Sequence, residues 1–202
     1  MHPIGTTEVI DGIGVLTIDN PPVNALSAAT RRALDDGFRQ LAADASVRAI
    51  VLICAGRTFF AGADISEFGK PPQEPSLKGV FDILENGTRA VVAAIHGTAL
   101  GGGYELALAC HYRIAAPSAK VGLPEVKLGL MPGAGGTQRL PRIVGIPAAL
   151  DLITGGAPVA APQALELGMI DALSGEGSLR ADLLAFARKL VAAGGPSSAS
   201  AT

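Results

Sequence analysis

The chain predicts an α/β fold, and three observations carry that expectation. Short apolar runs alternate with longer segments of helical period. One run, residues 49–55 (Ala-Ile-Val-Leu-Ile-Cys-Ala), is apolar throughout, as in a strand covered on both faces of its sheet. Glycine and proline, 26 and 14 of 202 residues, are scattered between these elements as punctuation rather than gathered in tracts. A chain of this length is most simply one domain with a sizeable core. Residues 1–193 are expected to form it, with the small and polar residues 194–202 as a flexible tail or linker.

In order, residues 7–10 and 15–18 flank Asp11-Gly12-Ile13-Gly14 and read as a hairpin. Asn20-Pro21-Pro22-Val23-Asn24-Ala25-Leu26 is a loop. Ser27 suits the cap of a helix running to about residue 43, with Leu34, Phe38 and Leu41 on one face. The strand at 49–55 follows, then a loop to residue 63. Asp64 opens a short helix, and Glu67 three residues later completes a capping-box pattern. Three prolines between residues 70 and 76 make a surface loop. A helix over 77–90 leads to a strand at 91–95, ending at His96-Gly97. The glycine run and apolar helix of 101–110 come next, with strands at 112–115 and 120–122. Helices are expected over 137–144, 147–155, 162–167 and 178–193, with a short extended run at 170–173. No repeat of fixed period is present.

Net charge is −2, no block of Lys and Arg occurs, aromatics are 4% and Trp is absent. Nucleic acid is therefore not the expected partner, since backbone neutralisation and base stacking both lack their residues. Cys54 and Cys110 lie in apolar runs without metal-ligand or redox spacing and read as buried reduced thiols, with no metal site. The start has neither the basic nor the apolar region of a signal peptide. The longest apolar zone, 90–110, is broken by His96, three glycines and Glu105, which makes a poor membrane span. A cytoplasmic protein without membrane association is the expectation.

The chemistry concentrates in Leu100-Gly101-Gly102-Gly103-Tyr104-Glu105. Glycines before a helix let the backbone approach a ligand and leave N–H groups unpaired at the positive end of the helix dipole. The run reads either as an oxyanion site or as a tight strand-to-helix turn. It lacks the phase of a GxGxxG phosphate fingerprint. Glu105, in an almost wholly apolar helix, stands between burial, which raises its pKa, and the helix start, which lowers it. That balance suits general acid–base work, and equally a buried structural hydrogen bond. Glu125, after Pro124, is a second carboxylate in apolar company or an ordinary first-turn Glu. Asp64 reads first as a cap, while the Ala61-Gly62-Ala63 turn before it offers a second backbone donor. His96 and His111 pair with no nucleophile or metal spacing and read as structural.

These residues carry a resemblance to a known family. Phe60-Ala61-Gly62-Ala63-Asp64-Ile65, His96 through Ala107, Gly122-Leu123-Pro124-Glu125-Val126, and Met131-Pro132-Gly133-Ala134-Gly135-Gly136-Thr137-Gln138-Arg139-Leu140 resemble the enoyl-CoA hydratase/isomerase (crotonase) family, from about residue 7 to 190. The run Cys110-His111-Tyr112-Arg113-Ile114-Ala115 is similar to the hydratase portion of multifunctional fatty-acid β-oxidation enzymes. The resemblance implies a spiral of repeated ββα units and an acyl-CoA thioester substrate. It places the thioester oxygen between the amides of Ala63 and Gly102. It implies that Glu105 activates water, that Glu125 exchanges the proton at C2, and that Gly133 positions the water or Glu125. It assigns substrate contacts to Ala61, Gly62, Asp64, Ile65, Gly101, Pro132 and Gly133. It implies no metal or redox cofactor, coenzyme A being part of the substrate. Ser66 stands where many members place Lys. Members also continue into a C-terminal helical region that helps close the acyl pocket and builds a trimer, a region this chain is expected to lack. The activity expected is hydration of 2-enoyl-CoA, as a homo-oligomer or within a multifunctional enzyme. The alternatives are double-bond isomerisation, which needs only the Glu125-type carboxylate, and non-catalytic acyl-CoA binding.

Overall fold

The computed structural model describes residues 3–194. Beyond Gly194, the expected tail lies outside the described residues. Strands β1 (Gly5–Ile10) and β2 (Ile13–Ile18) form an antiparallel hairpin. Its turn is only Asp11-Gly12, both with positive φ (50° and 78°), so Ile13 and Gly14 join the strand. Two such residues in a row match the right-handed twist of the flanking strands. Helix α1 (Ala28–Ala43) is capped as expected: the Ser27 hydroxyl accepts from the Thr30 amide.

Strand β3 (Ala49–Cys54), helix α2 (Leu77–Glu85), strand β4 (Ala90–Ile95), strand β5 (Thr98–Leu100) and helix α3 (Gly102–Ala109) follow. Helix α2 ends earlier than its apolar period suggests. Asn86-Gly87 breaks it, and Ala90 goes to the sheet. Then come β6 (Tyr112–Ala115), β7 (Lys120–Gly122), α4 (Gly136–Val144), α5 (Ile146–Gly155), β8 (Val159–Ala160), α6 (Ala161–Glu166), β9 (Ala172–Leu173) and α7 (Leu179–Ala192).

The larger sheet runs β1-β2-β3-β4-β6-β9, parallel after the first hairpin. A small second sheet runs β5-β7-β8. From β4 onward each turn of chain lays one strand in the large sheet and the next in the small one, then closes with a helix: β4-β5-α3, then β6-β7 and the helices after it. That is the ββα spiral implied above. The repetition lies in backbone path, which explains why no fixed sequence period betrays it.

The strand period of two sorts the large sheet into two cores. Leu16, Ile18, Ile50, Leu52, Val91, Ala93 and Ile95 pack against α1, α2 and α3. Ile13, Val15, Ala49, Val51, Val92 and Ala94 pack on the other face beneath Leu183 and Ala187 of α7. The continuous apolar run of β3 thus has both faces covered. Among the described residues no helix is long and apolar enough to cross a membrane.

Candidate active site

The site is assembled where β5 hands over to α3. Gly101 has φ 53° and ψ −130°, a conformation that side chains rarely adopt, and its amide donates to the Gly122 carbonyl. At Gly103 a Cβ would overlap the Phe60 carbonyl oxygen, so the helix start needs a bare backbone there. At Gly102 a Cβ would lie 3.5 Å from the Ala63 amide nitrogen. The amides of Ala63 and Gly102 therefore sit beside one gap. Among the described residues neither donates to any acceptor. Two unpaired N–H groups, one at the positive end of α3, form a site for a developing negative charge.

Glu105 lies one turn into α3 and is 2% exposed. Its Oε1 accepts the amides of Ala134 and Gly136, each at 2.8 Å. Gly135, left-handed at φ 101°, makes the turn that aims both amides at it as α4 begins. Burial pushes the Glu105 carboxyl above its ordinary range, against the pull of those amides and of the Arg139 charge.

Glu125 arrives by register. Leu100 pairs with Gly122 across β5 and β7, so the residues just beyond Gly122 pass beside the glycine run. Glu125 begins a short 3₁₀ helix, Glu125–Leu128. Its Oε1 would touch a Cβ on Gly101 at 3.0 Å, and its Oε2 is buried without a hydrogen-bond partner. Burial raises its carboxyl, the Glu105 charge adds to the rise, and its own amide opposes it. The Glu105 charge is felt at Glu125 and disfavours a second charge there. Glu105 has two external donors for its charged form and Glu125 has none. The environments favour Glu105 as the ionised member and Glu125 as the proton holder.

Beside Ala63 opens a pocket of about 290 Å³, walled by Leu26, Phe68 and Leu77 and edged by Asp64 and Lys70. Ala61 donates to the Val23 carbonyl, and the Gly62 carbonyl accepts from Leu26, which fixes this wall. Asp64 accepts from the Ser66 amide, as a cap does. Here the capping-box expectation fails. The Glu67 carboxylate turns away from Asp64, accepting from the Ala28 amide at 2.7 Å and from Arg31 at 2.8 Å. A buried guanidinium outcompetes a local amide for that carboxylate. Ile65 is exposed beside the pocket.

The structure thus brings Ala63, Gly101, Gly102, Glu105 and Glu125 together, with Asp64 lining the adjoining pocket and Ala61, Gly62 and Ile65 beside these residues in the chain but not in its lining. Pro132 is buried and Gly133 exposed. Gly133 makes no hydrogen bond to either carboxylate among the described residues; its neighbours Ala134 and Gly136 hold Glu105 instead. Those two donors were missed by sequence reasoning. The available signal was the helix that starts at Gly136, because first-turn amides seek an acceptor. His96 and His111 are structural: His96 Nε2 meets the Gly56 carbonyl, and His111 Nδ1 accepts the Val91 amide.

Residues 8–202 match the family described as enoyl-CoA hydratase/isomerase. The chain belongs to this family. As a hydratase/isomerase family member it is 51% identical over 179 residues to the peroxisomal bifunctional enzyme of Danio rerio, covering 89% of this chain. It spans only 25% of that relative's length. It is also 49% identical over 165 residues to a probable enoyl-CoA hydratase of Bacillus subtilis, covering 78% of this chain and 64% of that one. Among solved structures, an enoyl-CoA hydratase from Mycobacterium tuberculosis H37Rv superposes with a TM-score of 0.88 at 35% identity, over 96% of this chain and 78% of the other.

Proposed function

We propose that this chain catalyses the reversible addition of water to 2-trans-enoyl-CoA, giving 3-hydroxyacyl-CoA in fatty-acid β-oxidation. The observation that carries the reading is the convergence of two raised carboxyls of opposite hydrogen-bonding character with two unpaired amides. The thioester oxygen accepts from Ala63 and Gly102, which stabilises the enolate formed as water attacks C3. Ionised Glu105 takes the proton from that water. Protonated Glu125 delivers its proton to C2, and in dehydration the roles reverse. The wall at residues 61–65 binds coenzyme A, which enters as part of the substrate. Leu26, Phe68 and Leu77 flank the acyl portion. No further cofactor takes part. The working form is a homo-oligomer or one part of a multifunctional enzyme.

The presence of both carboxylates favours hydration over isomerisation, for which one carboxylate suffices. The test is turnover of crotonyl-CoA, followed as loss of the enone absorbance, for wild type, Glu105→Gln and Glu125→Gln. Each variant should lose about a hundredfold or more in kcat. Folded wild type that converts 3-enoyl-CoA without adding water to crotonyl-CoA would overturn the reading in favour of an isomerase.

A further inference from the structure

Arg139 has no place in the chemistry so far, yet it is the side chain around which the Glu105 donors are built. Its Nε and Nη2 form a fork on both oxygens of Glu85, at 2.6 and 2.8 Å. Its Nη1 donates to the Ala134 carbonyl at 2.8 Å, and its guanidinium lies over the Phe81 ring at 5.4 Å. Ala134 is therefore gripped from both sides: its carbonyl by Arg139, its amide by Glu105. The contact also explains Gly135, where a Cβ would overlap the Arg139 guanidinium. Phe81 and Glu85 belong to α2, so Arg139 ties that helix to the turn that opens α4. Such a fork is geometrically specific, and lysine does not reproduce it.

The geometry points to Arg139 as a positioning residue that holds the turn at residues 134–136, and through it the Glu105 carboxylate, in the arrangement that activates water. The inference rests on the hydration reading for its consequence, though not for its geometry. The groups facing Glu105 are few. Glu125 comes from the 3₁₀ helix and Arg139 from α4, and Glu85 of α2 acts through Arg139. Arg113 and His111 lie toward the other end of α3, where Arg113 donates to the Ala107 and Cys110 carbonyls.

The test pairs a titration with kinetics on the full chain. The Glu105 side-chain carboxyl is followed by carbon NMR, its resonance assigned with Glu105→Gln, in wild type, Arg139→Gln and Glu85→Gln. Removing the cation should move the Glu105 titration up, because the Arg139 charge lowers it. It should lower kcat for crotonyl-CoA about ten- to a hundredfold while KM changes far less, because a misplaced base loses the step and not the binding. Glu85→Gln keeps the cation but frees the fork. It should lower kcat in the same way while the Glu105 titration stays near wild type. A Glu105 titration unmoved in folded Arg139→Gln, or wild-type kcat in folded Glu85→Gln, would overturn the assignment. If Arg139→Gln does not fold, Glu85→Gln decides alone. If wild type adds no water, the hydration reading fails and with it the catalytic consequence; a Glu105 titration that still moves in Arg139→Gln keeps Arg139 as the residue that holds the Glu105 carboxylate, and one that does not move overturns that as well.

Discussion

Replacing Gly102 by alanine adds one methyl group at the gap between the two unpaired amides. The new carbon lies 3.5 Å from the Ala63 nitrogen, 3.2 Å from Leu77 Cδ2 and 3.6 Å from Leu26 Cδ1. Only the first is backbone, and it is at ordinary contact distance. The closest neighbour, at Leu77, is the end of a flexible side chain. Gly102 also starts a helix, where alanine is well tolerated. Stability should therefore change by about 1 kcal/mol or less. The reaction should fare differently. An oxygen accepting from an amide sits about 2.9 Å from its nitrogen, and the methyl enters that space. Weakening one such donor costs about 3–4 kcal/mol of transition-state stabilisation, or roughly two to three orders of magnitude in rate. The assay is kcat/KM for crotonyl-CoA beside a thermal melt. Gly103→Ala is the contrast: its Cβ runs into the Phe60 carbonyl, so it should lose more than about 2 kcal/mol of stability. Folded Gly102→Ala with kcat/KM within about threefold of wild type would refute the placement of the oxyanion site.

The carboxyl pair should show itself in pH dependence. The proposed hydration mechanism needs Glu105 ionised and Glu125 protonated, and burial raises both carboxyls. kcat/KM should trace a bell whose limbs lie above the ordinary Glu value of about 4.3. A folded-state pKa above the unfolded one contributes stability that is present below the unfolded value and lost as pH rises through the folded one. Glu125→Gln should therefore gain Tm relative to wild type between about pH 4 and pH 8, and a gap that shrinks would contradict the raised carboxyl. Away from the site, Arg113 is 1% exposed and pairs with Asp171 at 3.0 Å. Asp171→Ala strands that charge and should cost about 3–5 kcal/mol in urea unfolding; a loss under about 1 kcal/mol would show that the Ala107 and Cys110 carbonyls suffice.

Local chemistry made much of this legible in the chain. The Ser27 cap, the apolar run of β3 and the glycine punctuation before α3 each state their structure within a few residues. Strands β5 and β8 do not. With three and two residues they have no period of their own, and exist because neighbouring backbone is waiting to pair. The same limit applies at the site. Glu105 and Glu125 stand out as carboxylates in apolar surroundings, but the donors that divide their roles are main-chain groups of Ala134 and Gly136, without side-chain signature. Glu67 shows the opposite error. Its spacing from Asp64 fits a local box, and a guanidinium 36 residues away takes it instead.

The two-sided large sheet has a consequence for synthesis. Its second face is closed by α7, whose Arg180 and Arg188 reach back to Glu8 and Asp11 in the first hairpin, 172 and 177 residues earlier. At about 5–20 residues per second, the hairpin waits roughly 10 to 35 seconds on the ribosome for that cover. As their strands are made, Ile13 and Val15, then Val51, then Val92 present an open apolar surface that stays uncovered until α7 arrives. A chaperone that recognises extended apolar strands has its natural window here, and substitutions that slow α7 should first appear as lost yield rather than as altered catalysis.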